Sequence, residues 1–223
     1  MKIAINVVLA LCAAGLLWFC YTSIQSPIQF QNDMAIREAA VKKRLVEIRT
    51  AEEQYRAQKG DFCDTLENLV EFVKNGRIPF VNKVGELTDE QMDKGLTEAK
   101  AAAIVNSGDA AAIAANGLQK FRRDTVWVPL IDTLYAKDFV ADSLMYIPFS
   151  NGKKFDIMKT LIVNKSGTVQ NVMECSAAYE TYLEGLNERE IINLRDKAEK
   201  SGRFPGLKIG DLYTANNNAG NWE

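Results

Sequence analysis

The 223-residue chain contains no histidine, and it has no excess of positive charge; its formal net charge is -2. Without histidine there is no Ser-His-Asp or Cys-His catalysis, no His-ligated zinc and no side chain that ordinarily titrates near neutral pH. Without a basic excess there is no electrostatic drive toward nucleic acid, and no nucleic-acid partner is expected. The patterns G-x-G-x-x-G, G-x-x-x-x-G-K-[ST] and G-x-S-x-G are also missing, which removes the common dinucleotide, phosphate-loop and nucleophile-elbow sites. The acidic pairs and triples Asp61/Asp64 and Asp89/Glu90/Asp93 lack calcium-loop spacing, and the first pair suits turn and capping chemistry better. Lys165 and Ser166 adjoin on a turn, which is not the geometry of a Ser-Lys dyad. The expectation is a chain with no catalytic residue, no metal and no cofactor, and so not an enzyme.

What is present begins with an uncharged run, IAINVVLALCAAGLLWFCYTSIQ, from Ile3 to Gln25. About 20 apolar residues in a helix span a bilayer core. Trp18 and Tyr21 lie near its C-terminal end, where amphipathic rings suit the headgroup layer. Pro27 follows, a place for the helix to kink or stop. A cleaved signal peptide would leave Ile24 at the -3 position, and a lipoprotein signal would place Leu11 before Cys12. An uncleaved signal anchor fits the full length of the run better. Lys2 and the amino terminus are the positive charges before it, which points to N-terminus inside and the bulk of the chain outside. The expectation is a single-pass inner-membrane protein, in contact with lipid through this helix, whose bulk is periplasmic or extracytoplasmic.

Four cysteines divide evenly. Cys12 and Cys20 lie in the apolar run and act as small hydrophobes. Cys63 and Cys175 lie beyond it. An oxidising compartment permits a disulfide between them, and two buried free thiols are the other reading.

Residues 33 to 58 place Met34, Val41, Ile48 and Tyr55 seven apart, with Leu45 and Ala51 widening the stripe. This is an amphipathic helix. The stripe either packs on its own domain or forms a seam to a partner, and the interleaved acids Glu38, Glu47, Glu52 and Glu53 read as part of a solvated face. Gly60 ends the helix, and Asp64 with Glu67 reads as a capping box for the next one, whose apolar face is Leu66, Leu69, Val70 and Val73. Residues 88 to 121 open with a second box, Thr88 and Gln91, and are alanine-rich; Gly95, Gly108 and Gly117 cut them into short helices. From Asp124 the texture turns β-branched and aromatic, predicting three or four mostly antiparallel strands, with a hairpin turn at Lys165-Ser166-Gly167 and an edge near Tyr146-Ile147-Pro148-Phe149. Asn187 with Glu190 opens a C-terminal helix, and the last ten residues are polar.

The stretch REAAVKKRLVEIRTAEEQYRAQKGDFCDTLENL carries a resemblance. Tyr55, Gly60, Phe62, Leu66 and Leu69 follow the order in which a long helix ends, turns at glycine and enters a leucine-led segment. With an apolar N-terminal helix ahead and a small sheet behind, the layout resembles type IV pilins and type II secretion pseudopilins over the first third of the chain. No glycine precedes the apolar run and no glutamate lies within it. The resemblance therefore implies an anchored, pilin-like architecture rather than a processed pilus subunit.

The expected organisation is α+β. Residues 1-26 form the transmembrane anchor, 27-87 the long helix, turn and capped short helix, 88-123 an alanine-rich helical insertion, and 124-223 the sheet, a C-terminal helix and a polar tail. The expected role is a structural or adaptor component of an envelope assembly, with protein partners or self-association. The alternative is a membrane-tethered binding domain for a peptide, glycan or lipid, with a pocket lined by Trp127, Tyr146 and Phe149.

Overall fold

The computed structural model describes residues 2–164 and 166–223, without the side chains of residues 2–8, 10 and 22. Lys165 of the expected hairpin turn lies outside the described residues. The fold is α+β: a long N-terminal helix and a small antiparallel sheet flanked by helices. The chain divides into two compact units, Met1–Val73 with Val140–Glu223, and Lys74–Phe139.

In the first unit a single helix, α1, runs from Lys2 to Lys59, 58 residues with Pro27 inside it. At 1.5 Å per residue that is about 87 Å. The sequence suggested a break at Pro27. The helix continues because proline removes one backbone hydrogen bond while both flanking segments are helix-forming and propagate cooperatively. From Leu9 to Ile24 the described apolar side chains are exposed. From Phe30 onward one face becomes buried: Val41, Leu45, Ile48 and Ala51 have no exposure at all. α1 is, among the described residues, the one helix long and apolar enough to cross a membrane.

Gly60 (φ 81°) ends α1, its N–H donating to Arg56 O at 2.8 Å. The left-handed conformation there favours a residue without a Cβ. Helix α2 is Leu66–Asn75, and its apolar face is buried as the spacing predicted. Its cap is not the expected one. Thr65 Oγ1 accepts from Asn68 N (3.4 Å), while Asp64 Oδ1 accepts from the Asn68 side chain (3.2 Å) and Glu67 pairs with Lys154. The hydroxyl of Thr65 sits one residue nearer the first turn and so reaches the open N–H first.

The sheet of this unit is β3-β4-β5, antiparallel throughout. β3 is Asp156–Val163, β4 Val169–Ala178 and β5 Gly206–Gly210. The β3–β4 hairpin closes where expected, with Asn164 N donating to Thr168 O (2.9 Å) and Gly167 N to Asn164 O (2.8 Å). The expected edge near Tyr146-Ile147-Pro148-Phe149 is instead an isolated bridge between Tyr146 and Lys154, preceded by a 3-10 turn, Ala141–Met145. α1 packs on β4, β5 and the 3-10 turn, and on α7 (Tyr179–Tyr182). Arg37 fastens it further, donating to the carbonyls of Tyr182 (3.0 Å) and Glu184 (2.8 Å). α8 is Glu188–Lys200, with Asn187 capping through Arg189 N rather than through a box with Glu190. The polar tail is docked: Gly220 bridges Ile209, and Glu223 pairs with Arg49 at 2.8 Å.

The second unit is a two-stranded antiparallel ribbon, β1 (Arg77–Val84) and β2 (Arg122–Pro129), with short helices α3 (Asp89–Asp93), α4 (Glu98–Asn106) and α5 (Ala110–Ala115) between the strands and α6 (Leu130–Leu134) after β2. The box of Thr88 and Gln91 is formed, with Thr88 N donating to Gln91 Oε1 at 2.9 Å. Ala101, Leu118 and Phe121 make a small core. β1 was not expected, because Pro79 and Asn82 break a strand pattern. Both strands of a ribbon are edges, so a proline N can face outward without breaking the ladder.

Candidate functional site

The most constrained polar cluster lies under the turn that joins α1 to α2, in the first unit. α1 delivers Glu52, which is fully buried. It follows Leu45 by seven residues and Ile48 by four, and so belongs to the buried stripe rather than to the solvated face assigned from its charge. Its Oε2 accepts the Cys63 N–H at 2.9 Å, and its Oε1 has no partner. Burial pushes its carboxyl up to about 7, with the Cys63 N–H and Lys159 opposing that rise. The protonated acid is therefore the form the site favours below neutrality.

One layer outward, Asp61 organises the turn. It accepts from Lys159 Nζ (2.9 Å), from Phe62 N (2.8 Å) and from Asn171 Nδ2 (2.9 Å). The Lys159 hydrogen bond, first among these, holds its carboxyl below the usual range. Lys159 Nζ also donates to Phe62 O at 2.8 Å, so β3 and β4 both grip the turn. The Arg56 guanidinium lies over the Phe62 ring at 5.0 Å, and Tyr55 meets Phe72 edge-on at 5.0 Å.

Cys63 and Cys175 are free thiols, both buried. The Cys63 thiol donates to Thr65 O at 3.2 Å. Burial raises both thiols above their usual range, Cys175 strongly, and the Glu52 carboxyl adds to the rise. A thiol kept protonated and out of solvent is a poor nucleophile. Together these hydrogen bonds lock the turn between α1 and α2. Among the described residues no group of three His, Cys, Asp or Glu is placed to hold a metal ion.

The other expected residues fall in different places. Val41 and Ile48 of the heptad stripe are completely buried, and Met34 and Tyr55 half-buried. The middle of the stripe is thus consumed by the chain's own unit, and the seam it forms is internal. Of the three aromatics, Trp127 belongs to β2 of the second unit, whereas Tyr146 and Phe149 belong to the first. Each is exposed, and Phe149 (φ 63°) lies 5.3 Å from the Arg37 guanidinium.

The second unit has a cavity of about 580 Å³ that sequence reasoning did not find. Leu87, Met92 and Leu96 give it an apolar side, and Lys83, Glu98 and Arg123 a charged one. Arg123 stacks on Phe121 at 3.9 Å and donates to Val84 O, Gly85 O and Glu98. Its strand position, opposite Lys83, was hidden with β1.

Neither a family model, nor a curated protein, nor a solved structure matches this chain. Fold and site define its class by themselves: an α+β protein in which one helix, apolar enough to span a membrane at its N-terminal end, becomes the buried spine of a folded unit.

Proposed function

We propose that this chain is a membrane-anchored, non-enzymatic structural or adaptor component of a cell-envelope assembly, pilin-like in layout. The observation that carries the reading is the division of labour along α1. Between Leu9 and Ile24 its described apolar side chains are exposed, and one face of its second half is buried against β4, β5 and α7, with no break in the helix between them. Such a helix transmits position from a membrane to a folded unit. In this reading that unit lies on the periplasmic or extracytoplasmic side of the inner membrane, with Lys2 on the opposite side. Partners engage surfaces other than the Val41–Ile48 stripe, which the unit itself occupies. Chemical cross-linking of native membranes followed by mass spectrometry tests this reading. It predicts recurrent links to envelope-assembly proteins or to a second copy. Recovery of no protein neighbour would overturn it.

The cavity beside Arg123 favours a second reading, a tethered binding domain for a peptide, glycan or lipid. Its signature would be a ligand that protects the second unit from proteolysis while native membranes yield no cross-linked partner.

A further inference from the structure

The guanidinium of Arg123, in the second unit, is satisfied everywhere but along one edge. Its side chain is only 7% exposed. The ring of Phe121 covers one face at 3.9 Å. Nη1 donates to the carbonyls of Val84 (3.1 Å), Gly85 (3.0 Å) and Arg122 (2.8 Å). Nη2 reaches Glu98 Oε1 at 3.3 Å, long for a charge-assisted bond. Nε, buried beside it, has no hydrogen-bond partner among the described residues. The Nε and Nη2 hydrogens point the same way and form the fork that takes both oxygens of one planar acid. One tine of that fork is loosely used and the other not at all. A buried charged donor left unmade is costly, so the edge calls for an acceptor.

Arg123 lines the cavity of about 580 Å³, a volume within the roughly 300–1,000 Å³ of small-molecule sites. The charged residues of the lining are two cations, Lys83 and Arg123, and two acids, Glu86 and Glu98, so their charges balance. Glu98 is held weakly: its side chain is 58% exposed and its other oxygen lies 3.5 Å from Lys83. When Glu98 swings into solvent, one negative charge restores the balance, and a second would be repelled by Glu86. The acceptor that suits the fork is thus a monoanion, and a carboxylate already stands at it. Beside the charges, Leu87 and Leu96 line the cavity while packing on Ala101, Leu118 and Phe121, so the apolar wall is the outer face of the unit's own core. Met92, 51% exposed, extends that wall.

We infer that this cavity binds a free monocarboxylic acid with a short aliphatic tail. Its carboxylate takes Nε and Nη2 of Arg123 in place of Glu98, Lys83 adds its charge, and the tail lies on Leu87, Met92 and Leu96. The inference rests on the reading of the second unit as a ligand-binding one and names the class of ligand.

The full chain in phosphatidylcholine vesicles, illuminated with hexanoate that carries a diazirine on its tail, provides the test, with adducts mapped by mass spectrometry. Adducts are expected on residues 83–98, displaced by unlabelled hexanoate, with hexanamide and hexyl phosphate about tenfold weaker as competitors. Arg123→Lys keeps the charge without the fork and lowers the adducts about tenfold. Glu98→Gln removes the competing acid and raises them about threefold, an arm that leaves the Arg123 contacts to the strand ends intact. Hexanamide or hexyl phosphate competing as well as hexanoate, or adducts indifferent to Glu98→Gln, overturn the inference and leave the ligand-binding reading standing. Absence of adducts on residues 83–98 overturns the inference, and the ligand-binding reading falls with it only if a small-molecule extract of native membranes also fails to protect residues 74–139 from proteolysis.

Discussion

Replacing Glu52 by glutamine isolates the energetic consequence of a buried acid. Its carboxyl goes from an ordinary value of 4.5 to about 7 in the folded chain. Between those values the folded state holds a proton that the unfolded state has released, so stability falls as pH rises. The slope is about 1.4 kcal/mol per pH unit, and the whole loss is about 3 kcal/mol by pH 8. Glutamine keeps an oxygen for the Cys63 N–H and cannot ionise. Its amide leaves a donor unpaired where the neutral acid already has an unpartnered oxygen, so the two side chains differ by only about 1 kcal/mol when Glu52 is protonated. Glu52→Gln is therefore expected to match the parent at pH 5 and to exceed it by about 2–3 kcal/mol at pH 8. The absence of histidine makes the window clean, because few other groups titrate in it. Pulse proteolysis of the full chain in mild detergent, across a urea series at each pH, measures this. A parent whose stability is flat from pH 5 to 8, or a variant less stable than the parent at pH 8, would refute the reasoning.

Other substitutions probe the packing directly. Ile48→Ala removes a fully buried side chain from the α1 stripe and should cost about 2–5 kcal/mol, read in the same urea series. Val41→Asp should prevent stable folding, and a folded variant that only lost partners in cross-linking would restore an intermolecular seam. Thr65→Ala should cost about 1 kcal/mol as a lost cap, with Asp64→Ala costing less. The Asp61 carboxyl, held low by Lys159, contributes stability above its ordinary value of 3.8 that is lost as pH falls through its lowered one. Asp61→Asn should remove that acid-side dependence, and hydrogen exchange of the Phe62 amide at pH 3 and pH 6 reads it.

Much of the fold was legible because it depends on local chemistry. Gly60, the face of α2, the Thr88–Gln91 box and the division of residues 88 to 121 into short helices follow from turn residues and helical period. The hairpin between β3 and β4 followed from a turn between two β-branched runs. What stayed hidden depends on distant partners. β1 exists because β2 pairs with it, which no window around Pro79 reveals. Asp64 looked like the cap until the adjacent Thr65 won the geometry. Glu52 was read by its charge, although its spacing from Leu45 and Ile48 put it on the buried face. Its neighbour across the turn, Cys63, comes from eleven residues away. Trp127, Tyr146 and Phe149 share a chemical character and not a unit.

The account depends most on α1 being both membrane span and spine, and the native cysteines report on each half. Cys12 and Cys20 are exposed on the helix, whereas Cys63 and Cys175 are buried in the folded unit. A charged, membrane-impermeant maleimide applied to intact membranes, with adducts counted by mass spectrometry, measures both states at once. The account predicts that the whole chain labels at none of the four cysteines until it is denatured, and then at all four. Rapid labelling of Cys12 and Cys20 in intact membranes, with Cys63 and Cys175 still protected, would contradict it.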